Sequence, residues 1–561
     1  MLMDRTFISI VVNGNVCITE RRQNMWKKRW KILLIASAMF LVLLLCTACQ
    51  SNQDKIFSES VEIPLQPSEE EISETVVPEV DYDSPNYIGP DKSELQDLEP
   101  IENDDLSGEL LIKTRYAIEN IRFLAQEFMQ LHPDVKITFE EAVNSAELLN
   151  LSKEEINMKK ENFFSRVRTE LVSGEANYLI FCMQEYLDPV QLSKSGLLLD
   201  LLPYFESDPE IDQEEYFSQI LAAYTVDGKL PTIPMSVMYN AVYLNRPLLE
   251  KNGIDLSDTV TVTPQDLLAW YEVTRASVDD LKLFFTSPGK DALFSTERLA
   301  YMDPIQKTAR FDSPEFVEFL ERTAATENSD PELSTVNVGL MNSGLFNEQI
   351  RFQETGMIEE RGFALGADFN EKYEGVARKG RSALATWEPV ANYELLFLGQ
   401  PMEYVAGPYP LLSSDGKLGL ISREDFAIPS SCENPDLAWE FIKYCISPRE
   451  DSRNSMDFSH LGSPCHYTND LPFSKTNLCY NLKRLAEKGD SGQSVIYPVE
   501  SLDIDLVTDK VNEIFSLPLV NLNSYGVNVQ EYLDEFYVNE LTTAEQCAEK
   551  IQGRAEIWLN E

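Results

Sequence analysis

The sequence predicts a two-lobed α/β protein, each lobe a mainly parallel sheet flanked by helices, the two joined by hinge crossovers. Three observations carry this prediction. From Glu109 the apolar pattern alternates strand, helix, strand, helix, strand, an order that builds a parallel sheet with helices on both faces. The chain able to form a core runs from about Leu106 to Glu561, too long for one ordinary core and suited to two. Pro231 and Pro234 stand ahead of an alternating apolar run. A central strand rarely tolerates two prolines, so Leu230 to Pro234 is expected to cross between lobes rather than sit inside a sheet.

The elements follow in order. Glu109 to Arg115 reads as a strand, and Ile118 to Leu131 has a helical period that stops at His132-Pro133. Val135 to Phe139 alternates as a second strand, Phe163 to Leu171 is helical, and Tyr178 to Met183 is a buried strand. In such sheets the ligand sits beyond the carboxyl ends of the strands. The loops of interest are therefore Thr114, Arg115 and Tyr116 after the first strand, and Gln184, Glu185 and Tyr186 after the third. Thr225 to Ile254 opens with the turn Asp227-Gly228, passes through the two prolines into an apolar strand, and ends in a short helix stopped by Asn252-Gly253.

The amino terminus is an address rather than part of the fold. After Met25 come Trp-Lys-Lys-Arg-Trp-Lys, an apolar run from Ile32 to Leu45, and Cys46-Thr47-Ala48-Cys49. A basic head, a short apolar core and small residues before a cut site make a secretory signal, and the run is shorter than the ~20 residues a bilayer span requires. Residues 1–24 match no part of a signal, which fits a start at Met25. The end of the segment resembles the lipobox of bacterial lipoproteins. That resemblance implies lipidation of Cys49; Cys46 departs from the pattern, where an apolar residue is usual. Lipid on Cys49 would anchor the chain at the outer face of the cytoplasmic membrane. Residues 50–105 hold about 17 acidic side chains, two lysines and six prolines, and are expected to form a disordered, extended tether.

The formal net charge is -46. Such a chain repels nucleic acid, whose binding needs clustered Lys and Arg. Of nine cysteines, the six beyond Cys17, Cys46 and Cys49 lack any CxxC or other metal spacing, and only three histidines occur (His132, His460 and His466), so no metal centre, cofactor or hydrolytic triad is indicated. Cys465 and Cys479 are near enough in sequence to be disulfide candidates, although most of the cysteines are expected to be buried free thiols.

Gly196-Leu-Leu-Leu-Asp-Leu-Leu-Pro-Tyr-Phe205, Val242-Tyr-Leu-Asn-Arg-Pro-Leu-Leu-Glu-Lys-Asn-Gly-Ile254 and Thr261-Val-Thr-Pro-Gln-Asp-Leu-Leu-Ala-Trp270 together resemble the extracellular solute-binding proteins of ABC importers, in the large group that mostly captures sugars. Gly380 to Trp387, Glu424 to Tyr444 and Leu541 to Glu561 continue the resemblance in the family's order, whereas residues 281–375 match poorly. The resemblance implies a periplasmic-binding-protein-like fold of type II. It also implies a monomer that binds a small solute, a sugar first, and hands it to the transmembrane subunits of a permease. The expected partition is a signal over 1–48, an anchored tether over 49–105, a first lobe over 106–227 plus about 378–420, and a second over about 228–377 plus about 421–561.

A sugar presents apolar C–H faces and a rim of hydroxyls, which aromatic rings and carboxylates or amides can meet. The candidate ligand residues are Tyr116, Glu185 and Tyr186 in the first-lobe loops, and Met235, Ser236 and Tyr239, with Asn240, in the crossover. Trp387 and Glu388 follow the returning strand, and Gly462 and Ser463 lie in a segment that resembles one bordering the family's cleft. Trp439, on an amphipathic helix, is expected in the core. Paired acids such as Glu359 with Glu360 or Glu424 with Asp425 are poor glycosidase candidates, because neighbours along a chain point apart while that chemistry needs two groups facing one substrate. Sequence leaves open a ligand-presenting sensor, or a peptide or polyamine as the solute.

Overall fold

The computed structural model describes residues 100–101, 104–115, 119–183, 186–285, 289–327, 342–356, 382–390, 395–399, 402–448, 470–490 and 503–560. The signal, Cys49 and most of the tether lie outside them.

Strand β1 (Gly108–Thr114) pairs in parallel with β2 (Val135–Glu141) along its whole length, and with β3 (Leu179–Phe181) at its carboxyl end. The helices Glu119–Leu131 and Lys153–Ser173 make the connections. The second opens on a capping box, in which Ser152 Oγ accepts from the Glu155 N–H and the Glu155 carboxylate accepts from the Ser152 N–H. It closes on Gly174 at φ 75°. The strand–helix alternation expected from the sequence is therefore present, with the helix around Phe163 longer than its apolar pattern.

The sheet continues through β10 (Leu418–Ala427) and β4 (Ile233–Asn245) to β8 (Ala383–Val390) and β5 (Lys282–Phe284), in the order β2-β1-β3-β10-β4-β8-β5. Pairing is parallel toward both ends, β2-β1-β3 and β8-β5, and antiparallel where β10, β4 and β8 cross between lobes. Strands β9 (Val405–Pro410) and β11 (Leu471–Pro472) also pair with β4, and β12 (Leu519–Asn521) pairs with β10. The two-residue strands β6 (Met302–Asp303) and β7 (Thr308–Ala309) form a separate hairpin.

The turn at Asp227-Gly228 has both residues at positive φ, 50° and 75°, and is closed by reciprocal bonds between Val226 and Lys229. This is the geometry that suits a two-residue hairpin. Pro231 precedes β4, and Pro234 sits opposite Asp425 where the β4–β10 register slips, so neither proline disrupts a regular ladder. Downstream, β4 serves two cores. Ile233, Val237, Tyr239 and Ala241 face the first, and Val242 and Leu244 face the second. Its 13 residues span about 40 Å, enough to reach both. The Thr225–Ile254 stretch thus contains a crossover, but not at its prolines: Ile233 and Pro234 lie inside β4 within the first lobe, and the passage from one core to the other comes at Ala241 and Val242.

The cores divide the chain differently from the expected partition. The helices Pro435–Ile446 and Ile504–Phe515 place Phe441, Ile442, Val511 and Phe515 in the first core, although about 421–561 was assigned to the second lobe. The reason is β10, which returns beside β3 and carries the following helix onto the first sheet. Trp439 is buried there, as expected, and its Nε1 donates to Asp208 at 3.0 Å. The second core is filled by Phe294, Phe311, Phe316 and Phe319 from the poorly matching region, and by Ile551 and Leu559 of the last helix. Polar ties connect the lobes as well. Gln191 Nε2 donates to the Trp558 carbonyl at 3.0 Å, and Lys194 Nζ to that of Pro304 at 2.9 Å.

Among the described residues no helix is long and apolar enough to cross a membrane. Cys182, Cys432, Cys445, Cys479 and Cys547 are free thiols. Cys479 is unpaired among the described residues, and its candidate partner Cys465 lies outside them.

Candidate functional site

The carboxyl ends of β1 and β3 meet the crossing strands at a buried polar cluster. β1 delivers Thr114 and Arg115, β3 leads into Cys182, β4 supplies Ser236, β10 supplies Glu424 and Asp425, and Asp470 immediately precedes β11. Each element arrives for a local reason. The Ala142 and Val143 N–H groups bond to the carbonyls of Thr114 and Arg115, which extends the β1 pairing past its last regular residue. The Cys182 N–H donates to the Asp425 carbonyl at 3.0 Å, tying β3 to β10. Cys182 sits at φ 57°, a left-handed conformation uncommon for a residue with a Cβ, and this ends β3 abruptly.

Glu424 is 4% exposed and Asp425 2%. Ser236 Oγ donates to Glu424 Oε2 at 3.0 Å. Glu424 Oε1, Asp425 Oδ1 and Asn240 Oδ1 are enclosed without a hydrogen-bond partner among the described residues. Leaving such acceptors unpaired costs about 1–3 kcal/mol each.

Burial pushes the Glu424 carboxyl up to about 8, with the Asp470 charge adding to the effect; the Ser236 bond and the Arg423 and Arg115 guanidiniums oppose it. Burial likewise lifts Asp425 to about 7 against backbone hydrogen bonds and Arg115, and Asp470 to about 7 against Arg423. Three carboxyls therefore share two guanidiniums in a poorly solvated space. Burial thus holds all three carboxyls well above the usual carboxylate range. A ligand that offers hydroxyl or ammonium donors would stabilise the ionised form. No group of acids, histidines or cysteines among the described residues has metal-holding geometry.

The sequence-predicted residues fall in several places. Ser236 is inside the cluster. Met235 is half-buried against the first core, and Tyr239 lies wholly within it, so its ring is core in this conformation. Tyr186 stacks on Phe164, ring centroids 4.7 Å apart and planes 5° from parallel, which occupies one face of the ring that was expected to meet ligand. On β8, Trp387 is opposite Val242 and Glu388 opposite Ala241, where β4 passes from one core to the other. Trp387 is half-buried against the second core, and its Nε1 is enclosed without a partner among the described residues. Tyr116, Glu185, Gly462 and Ser463 lie outside the described residues. Sequence reasoning weighed Glu424 and Asp425 only as catalytic acids and missed Asp470. A usable signal was present, since Arg423-Glu424-Asp425 interrupts the otherwise apolar run from Leu418 to Ile428.

Two lobes spanned by strands, with a polar cluster at the crossing, define a class of protein that encloses a small ligand. The family is shown by sequence: the profile of the bacterial extracellular solute-binding proteins matches residues 117–451, and the chain belongs to that family. It is thus an extracytoplasmic solute-binding protein. A comparison with curated proteins finds no match. Among solved structures, the ABC substrate-binding protein Lmo0181 from Listeria monocytogenes, in complex with cycloalternan, is 13% identical with a TM-score of 0.44, covering 81% of this chain and 99% of its own. A family 1 extracellular solute-binding protein from Alicyclobacillus acidocaldarius is 14% identical with a TM-score of 0.45, covering 82% and 100%. An ABC transporter solute-binding protein from Agrobacterium vitis, with bound D-mannitol, is 15% identical with a TM-score of 0.44, covering 81% and 98%.

Proposed function

We propose that this protein captures a mono- or oligosaccharide at the interlobe cluster and delivers it to the transmembrane subunits of an ABC importer. It does so as a monomer held at the outer face of the cytoplasmic membrane by lipid on Cys49. The observation that carries the saccharide reading is the set of enclosed acceptors without partners, Glu424 Oε1, Asp425 Oδ1 and Asn240 Oδ1, at the strands that cross between lobes. Sugar hydroxyls are donors suited to these atoms, and Trp387, half-buried on β8 opposite Val242, offers an aromatic ring nearby in the sheet. The protein binds its ligand without converting it.

The excess of carboxyls over guanidiniums in the cluster favours a second reading, a cationic solute such as a polyamine. One screen separates the two. The purified protein is incubated with a panel of oligosaccharides, polyamines, peptides and amino acids while melting temperature and product release are followed. A saccharide at 100 times its dissociation constant adds ~2.7 kcal/mol of stability. A shift with saccharide and no product supports the proposal. A shift confined to polyamines, peptides or amino acids overturns the sugar assignment, and release of free sugar overturns binding without turnover.

A further inference from the structure

The second lobe holds a cavity of about 230 Å³ between the helix Gly289–Tyr301, the segment 527–530 and the start of the helix Gln530–Tyr537. Phe294, Val527, Val529 and Leu533 give the cavity apolar lining, and Arg298 lines it as well. Arg298 Nε is enclosed with no hydrogen-bond partner among the described residues. Burial lowers this guanidinium to about 10, opposed only by the Tyr525 hydroxyl, and at neutral pH it stays charged. Arg298 is half-buried with its Nε fully enclosed, and it makes no ion pair among the described residues, although charges withdrawn from water are ordinarily paired or hydrogen-bonded. Here the space beside it is open instead of filled.

Asp291, two turns earlier on the same helix, also lines the cavity and interacts with Gln530. The separation is about 10 Å along the helix axis. A ligand with one negative charge would place that charge at Arg298, away from Asp291, and lay its body on the apolar lining.

We propose that this cavity is a second ligand site, separate from the interlobe cluster, which takes a small monocarboxylate with an apolar body. The guanidinium fork receives the carboxylate in a bidentate pair, and Phe294, Val527 and Leu533 cover the hydrocarbon part. The site draws its walls from the second core alone, so its occupation does not depend on which solute the interlobe cluster binds.

The test uses the purified full chain with benzoate as probe and benzamide as its neutral counterpart, read by calorimetry and melting temperature at millimolar concentration. Benzoate is expected to saturate one site and raise the melting temperature, and benzamide to do neither. R298Q should weaken benzoate binding by about tenfold or more. With no benzoate present, R298Q should melt close to the wild-type temperature, because Arg298 makes no ion pair or hydrogen bond that the change would break among the described residues. If R298Q does not fold, the proposal fails, since that would show Arg298 already satisfied within the protein. Equal binding of benzoate and benzamide, or undiminished benzoate binding in R298Q, also overturns it.

Discussion

Glu424 has the most exposed chemistry to test, because its environment, rather than its type, sets what it does. In the folded protein burial and the Asp470 charge keep it protonated up to about 8, and Asp425 and Asp470 up to about 7. An unfolded chain loses these protons near pH 4. Between those limits the folded state binds more protons, so stability is greatest in mild acid and falls as pH rises through about 7 to 8. The unliganded protein should melt higher at about pH 5 than at about pH 8.5, and Glu424→Gln, which mimics the protonated group, should shrink that difference. An unchanged pH profile in Glu424→Gln would show that its carboxyl titrates normally. Trp387 gives a second residue-scale prediction. Its ring is half-buried at the crossing, so Trp387→Ala should weaken solute binding by about 2 kcal/mol if the ring stacks on ligand. Unchanged affinity in a folded variant, measured by calorimetry, removes Trp387 from the site.

At the scale of elements, β4 decides whether the lobes form one connected body. Its opposite faces serve opposite cores, and β9 packs against it so tightly at Gly407 that a Cβ there would lie 2.7 Å from the Val242 carbonyl oxygen. Gly407 also has φ 120°, outside the range a side chain accepts readily. Gly407→Ala should therefore destabilise the protein by about 1–3 kcal/mol in denaturant unfolding. A loss within error would mean that β9 can shift away from β4. Much of this architecture was legible in the sequence because it rests on local signals. Alternating apolar residues marked β1 to β3, and the turn signal Asp227-Gly228 marked the hairpin ahead of β4, whereas the two prolines misplaced the crossing, which falls at Ala241 and Val242. The partition of the later chain was not legible. Whether β10 pairs with β3 or with second-lobe strands depends on contacts between residues far apart, and no local pattern around Leu418 encodes it. The same limit hid the site. Arg115, Ser236, Glu424 and Asp470 come from four separate stretches; the sequence pointed to Arg115 and Ser236 as loop and crossover residues, but nothing local joined Glu424 and Asp470 to them. Tyr239 lies in the first core, and a tyrosine in a crossover strand carries no local mark of which face it takes.

For the whole molecule, the proposed arrangement is a lipid on Cys49, an acidic tether and a two-lobed binding domain. Cys49→Ser should release the protein from the membrane fraction into the medium without changing solute affinity, which fractionation and calorimetry would show. Retention in the membrane would mean that another segment anchors it. The central claim is that a saccharide occupies the buried polar cluster where the lobes meet. Calorimetric titration of the wild type and Glu424→Gln with saccharides from the panel tests it most directly. The expected result is one saccharide per chain, with affinity at least about tenfold weaker in a folded Glu424→Gln variant, because a carboxylate acceptor becomes an amide. Saccharide binding of equal strength in both proteins, or none in either, would contradict the assignment of the cluster as the solute site.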